Sequence, residues 1–257
     1  MSFRFMPYVG GVAVSLIAAG CNLVSSTGLQ TDYSFDALHY ASPAIGDPNP
    51  PAPGPTIPDV SCDPTGTDVC TAAGAALALE NATFSCDAMI KKCVAKAEVR
   101  ASEPIDLSKQ QETSFPPQAI QFGVSVVEVK RLTYWIDKNS LNLATPPIEF
   151  YVAPAAAQNE KDMKATLIAS VGSVPAKSSA CTDAAYAMGD TKAVGLPVCS
   201  ATLPQAGKDA LASFVKDYKT PFQIIAHAII VARPGDPVPS GSISFSARPT
   251  VGLKILD

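Results

Sequence analysis

The residues of this 257-residue chain that could do chemistry are few: seven cysteines, two histidines and scattered serines and carboxylates. Cys62, Cys70, Cys86 and Cys93 cluster, while Cys181 and Cys199 stand apart. Thiols can ligate zinc or close disulfides. Zinc sites of this kind use close CxxC pairs or nearby histidines, and neither is present, so three disulfides are expected. The spacing predicts Cys181 with Cys199 and the other four among themselves, in an order it leaves open.

The remaining candidates do not converge. His227 lies in the apolar run Ile224-Ile225-Ala226-His227-Ala228-Ile229-Ile230, where a histidine is expected to be hydrogen-bonded within or beside the core. A hydrolase would require it to be solvent-accessible and in reach of a serine and a carboxylate. Ser240-Gly241-Ser242 follows a proline turn and precedes a strand, whereas a nucleophile elbow holds its serine between strand and helix. Asp183 and Asp190 lack the regular oxygen spacing of a calcium loop. His39 has no metal-binding partner beside it. GxGxxG, P-loop and HExxH patterns are absent from the sequence. The expectation is no catalytic residue, no metal ligand, no cofactor and no enzymatic activity.

Cys21 has a different chemistry. Arg4 gives a weakly positive start, Val9 to Ala19 form an apolar run of signal-peptide length, and Leu16-Ile17-Ala18-Ala19-Gly20-Cys21 ends it in small residues. A membrane-spanning helix needs about 20 apolar residues, so this run is too short. The stretch resembles the lipobox of exported bacterial lipoproteins, although Ala18 stands where that family more often has Leu. The resemblance implies cleavage before Cys21, a diacylglyceryl group on its thiol and a lipid-anchored protein at the cell envelope. Asn22 in place of Asp points to the outer rather than the inner membrane. The alternative is an ordinary signal peptide cleaved elsewhere, with Cys21 incidental.

Charged residues make up 16% of the chain and the net charge is −4. No extended basic surface is available for nucleic acid. The partners expected are the membrane, through Cys21, and a protein at the envelope.

Behind residues 1–20, the signal peptide, residues 21–60 are polar, small or proline and read as a flexible Pro-rich tether extended in polyproline II. Residues 61–100 read as a stapled segment too small to be stable alone, with Thr83–Asp87 and Cys93–Val99 alternating as a hairpin around Lys91 and Lys92. Residues 101–257 form the main domain. Ala119–Ile136, rich in β-branched and aromatic residues, predicts one long strand or two. Asn139, Ser140 and Asn142 mark a turn, and Ile148–Val152 and Leu167–Val174 predict short strands.

The one helix expected starts near Pro204 and buries Leu211, Phe214, Val215 and Tyr218, which recur at helical spacing. Phe222–Val231 is continuous enough for a strand covered on both faces. Ser242–Ala247 and Val251–Leu256 read as two further strands. Many strands with one short amphipathic helix predict a mainly β fold, an antiparallel β-sandwich of Greek-key type. The order of elements over 130–257 resembles the late-embryogenesis-abundant and water-stress (WHy) β-sandwich family, which implies a binding or structural module without catalytic residues. A carrier holding a hydrophobic ligand between its sheets is an alternative, and a hydrolase a further one.

Overall fold

The computed structural model describes residues 30–35, 38–42, 44–45, 54–64, 68–77, 82–109, 124–180, 183 and 195–255. The chain folds into two antiparallel sheets packed as a sandwich with two short helices. In order it forms β1 (Gln30–Ser34), β2 (Leu38–Ala41), α1 (Asp68–Leu77), β3 (Ala82–Asp87), β4 (Lys92–Ile105), β5 (Val124–Asn139), β6 (Ile148–Pro154), β7 (Thr166–Val171), β8 (Cys199–Ala201), α2 (Gln205–Lys216), β9 (Phe222–Ala232) and β10 (Ile243–Ile255). Sheet one runs β1-β10-β5-β8, with β2 also on β10; sheet two runs β3-β4-β9-β6-β7.

Strands β1 and β2 share one edge of β10: β2 pairs with Ser244–Ala247 and β1 with Thr250–Lys254. Pro249 explains both the break between them and the continuity of β10. A proline within a sheet removes a ladder donor and is normally confined to edges. Phe35 donates its N–H to the Pro249 carbonyl, and in a strand a residue's N–H and C=O point to the same side. The missing donor therefore faces the gap between β2 and β1, while Pro249 stays in register with Leu132 of β5. The two strands expected over 242–247 and 251–256 are thus one through Ile255, and Leu256 lies outside the described residues.

The segment expected as a tether is built into the sandwich wherever it is described. Phe35 and Ile45 are buried in the main core and Ile57 in a smaller cluster with Ala95, Ala232 and Val238. Ile45 exchanges both backbone hydrogen bonds with Gly241, and Val238 donates to Pro55. These apolar residues are too far apart in sequence to show a period. Their burial is set by pairing with a strand some 200 positions away.

Residues 61–100 contain the expected hairpin, β3 on β4, with Cys86 opposite Cys93. It is not a separate unit, because β4 runs on to pair with β9 from Ala95–Ala232 to Ile105–Phe222. Disulfides Cys62–Cys86 and Cys70–Cys93 staple its turn end. Helix α1 was not expected. Its alanines suit a helix, its inward face is the small-residue stripe Cys70, Ala73, Gly74 and Leu77, and Gly74 lies against the Phe84 ring, where a Cβ would stand 2.7 Å from Cδ2. Cys199 is also disulfide-bonded; its expected partner Cys181, like Cys21, lies outside the described residues.

The core fills the space between the sheets. Phe150 of β6 meets Phe245 of β10 edge to face at 5.9 Å, and Phe35 meets Phe222 at 6.4 Å, geometries that suit the ring quadrupoles. Helix α2 packs on β5 and β7 through Gly207, Leu211 and Val215, with Tyr218 buried beyond its end. Pro204 flanks the helix as N-cap instead of occupying its first turn.

Candidate functional site

Strand β9 alternates, with Phe222, Ile224, Ala226, Ala228 and Ile230 entering the core. Gln223, Ile225, His227, Ile229 and Val231 must then lie on the outer face. The outer residues Gln223 and Ile225 are nevertheless buried, and the β6–β7 connection folds back over Gln223. Gln223 Nε2 donates to the carbonyls of Pro154 and Ala157 at 3.0 and 2.6 Å, which fixes the start of that connection.

The same fold-back brings Glu160 to His227. Register places Arg100 of β4, His227 of β9 and Glu149 of β6 in one row across the outer face, with Glu98 two residues from Arg100 on the same face. His227 Nε2 donates to Glu98 Oε1 at 3.0 Å and stands 3.9 Å from Glu160 Oε1. Arg100 binds Glu160 through Nε and Nη2 at 3.0 and 3.3 Å and Glu98 through Nη2 at 2.6 Å. The Glu160 side chain is 6% exposed and that of His227 13%. Burial pushes the Glu160 carboxyl up, but its own backbone N–H together with His227 and Arg100 outweighs that and holds it below the usual range. Beside it Tyr151 donates to Glu149 at 2.6 Å. Burial and that carboxylate push the Tyr151 phenol up to about 12.

His227 is therefore hydrogen-bonded beside the core, as its apolar run suggests, but its partners could not be read from the run. Glu98, Arg100 and Glu160 lie in three separate stretches of sequence. The only signal was that Glu98 and Arg100 alternate with Ala97, Val99 and Ala101, which puts both on the solvent face of a strand.

A second polar constellation lies on the outer face of sheet one. Ser246 Oγ donates to Asp137 Oδ2 at 2.8 Å, His39 Nδ1 meets Ser246 Oγ at 2.9 Å, and Trp135 Nε1 donates to Asp137 Oδ1 at 3.0 Å. The residue types are those of a hydrolytic triad, yet the connectivity differs. In such a triad the histidine stands between serine and carboxylate and uses both ring nitrogens. Here the carboxylate accepts the serine hydrogen bond directly, and Nδ1 faces both groups, with Asp137 Oδ2 at 3.7 Å. The arrangement ties β2 to β10 and β5, and His39, expected to be in a tether, is part of it. Its backbone N–H also donates to Glu103 of sheet two at 2.7 Å.

The other sequence candidates are structural. In Ser240-Gly241-Ser242, Gly241 has φ +101°, and a Cβ there would stand 2.3 Å from the Ser140 carbonyl oxygen. Ser240 and Asn142 exchange hydrogen bonds on either side. Asp183 accepts from Tyr134 Oη at 2.6 Å and from the Gly172 N–H at 2.9 Å; Asp190 lies outside the described residues. An open groove of about 290 Å³ runs between α2 and β5, bordered by Val126, Glu128, Lys208 and Asp209. Its charged rim does not suit an apolar ligand. No helix among the described residues is long and apolar enough to cross a membrane.

No protein-family model matches this chain, and no curated protein matches its sequence.

Proposed function

We propose that this chain is an exported, lipid-anchored module of a bacterial cell envelope that binds a partner or plays a structural part without catalysis. The observation that carries the reading is the pairing of Cys62–Cys86 and Cys70–Cys93, since structural disulfides belong to oxidising compartments. It agrees with the lipobox ending at Cys21. The absence of catalysis is supported by what the two polar constellations do with their titratable groups. His227 is held by carboxylates that Arg100 also binds, and the Ser246 hydroxyl donates its hydrogen bond to Asp137.

The strands close to the N-terminus change what the anchor would do. Eight residues lie between Cys21 and Gln30, the first residue of β1, and that length of chain spans at most about 30 Å. A lipid on Cys21 would hold the sandwich near the bilayer surface, with the β1 end of sheet one towards it, and not on a long stalk.

The test is expression in a lipoprotein-processing bacterium with fractionation and intact-mass measurement. The expected result is a membrane-bound chain starting at Cys21 with the mass of added acyl groups, and a soluble Cys21→Ala variant. A chain cleaved elsewhere, or a variant that stays in the membrane fraction with unchanged mass, overturns the anchor.

A further inference from the structure

We propose that Glu98, Glu160 and His227 form a binding site for one divalent transition-metal ion of the zinc class. This stands independently of the anchor. The three side chains come from three elements: β4, the β6–β7 connection and β9. Each offers a ligand atom, and those atoms all lie within 4.8 Å of one another. Ligands about 2.0–2.2 Å from a tetrahedral zinc stand roughly 3.3 Å apart. The spacings of Nε2 to the two carboxylates, 3.0 and 3.9 Å, straddle that value, and the carboxylate-to-carboxylate spacing is within 4.8 Å, so the side chains close on an ion by moving inward about an ångström or less.

Charge points the same way. Glu98 and Glu160 share a single guanidinium, Arg100, and a third carboxylate, Glu149, stands on the other side of His227 in the same row, bonded to Tyr151. One more cation would come close to balancing the cluster. The ion takes the place of the Nε2 proton that now faces Glu98. Arg100 holds Glu160 chiefly through Oε2 and keeps it oriented, as carboxylate ligands commonly are in metal sites, while its Nη2 also sits on Glu98 Oε1, the oxygen that faces His227, and gives up that contact when the ion binds. An imidazole with two carboxylates leaves a coordination position for water or a partner's side chain, and it selects zinc, cobalt or nickel over magnesium and calcium, which prefer all-oxygen shells. The described cysteines do not compete, being closed in disulfides.

The experiment uses the full chain, purified through a histidine-free tag and stripped with chelator. Zinc and cobalt chlorides are titrated in by calorimetry, with the cobalt visible spectrum reporting geometry. The expected result is one ion per chain, a tetrahedral cobalt spectrum and slowed amide exchange across residues 155–165. His227→Gln and Glu98→Gln should each weaken binding at least 100-fold; Glu98 is on the surface, so its variant keeps the proposal testable if the first does not fold. The chain has two histidines, and His39→Gln, on the opposite sheet, should leave binding unchanged. Stoichiometric binding that survives both His227→Gln and Glu98→Gln, binding abolished by His39→Gln, preference for calcium, or no uptake beyond adventitious metal would each overturn the site.

Discussion

Gly207 of α2 rests directly on Ile168 of β7: a Cβ on Gly207 would stand 2.6 Å from the Ile168 Cα and 2.7 Å from its carbonyl oxygen. The contact is with backbone, which cannot rotate away. Alanine in a helix interior is favoured over glycine by about 1 kcal/mol, whereas overpacking costs about 1–3 kcal/mol. The clash should win. Gly207→Ala is expected to lower stability by a net of up to about 2 kcal/mol, read as a lower urea midpoint. An unchanged or raised midpoint would show that α2 can lift off β7 freely.

Phe35 tests whether the N-terminal strands belong to the domain. It is 1% exposed and meets Phe222 edge to face, so Phe35→Ala should cost about 3–5 kcal/mol, the usual range for a buried phenylalanine. A residue in a solvated tether would cost almost nothing. Denaturant unfolding, followed by the single tryptophan, distinguishes the two.

The contrast between that tether expectation and the sandwich expectation shows what the sequence carries. Phe222–Val231 and Ile148–Val152 were legible as strands because a short apolar run is a local pattern, although the cover expected on both faces of Phe222–Val231 holds only for its first half, Ile229 and Val231 being exposed on the outer face. Helix α2 was legible from Leu211, Val215 and Tyr218 recurring on one face. β1 and β2 were not, because QTDYS and LHYA carry hardly any alternation. They are strands because β10 offers them an edge. α1 was hidden for the opposite reason: its inward face is Cys70, Ala73, Gly74 and Leu77, a stripe whose middle is too small to stand out among the surrounding alanines. The Glu98, Glu160 and His227 cluster was out of reach, since it depends on a connection that Gln223 folds back over β9.

The disulfides close loops of 24 and 23 residues. Cross-linking a loop of that size is worth about 3–4 kcal/mol in the chain-entropy model. Removing Cys62–Cys86 with a double serine substitution should lower stability by about that amount. Removing Cys70–Cys93 should cost more, because both of its cysteines are fully buried and two serine hydroxyls would be left in an apolar site. Thermal melts of the two double variants, with and without reductant on the parent, give the order. Equal losses would mean that α1 detaches without disturbing β4.

Tyr134 predicts an alkaline limit to stability. Its side chain is buried on β5 with Oη donating to Asp183 at 2.6 Å, and burial first, then the Asp183 carboxylate, push its phenol far above the ordinary value. The folded state therefore keeps a proton that the unfolded chain gives up near pH 10. The resulting stability is complete below about pH 10 and is lost as the pH rises beyond it towards the folded value. Tyr134→Phe removes both the hydrogen bond and the titration. At pH 7 it should be less stable than the parent by about 2 kcal/mol, the scale of a hydrogen bond to a charged group, and the gap should narrow by about 1.4 kcal/mol by pH 11. Melting temperatures of both proteins across pH 7–11 check this. A gap that stays constant through that window would show that the phenol is not held neutral by Asp183 and the surrounding core.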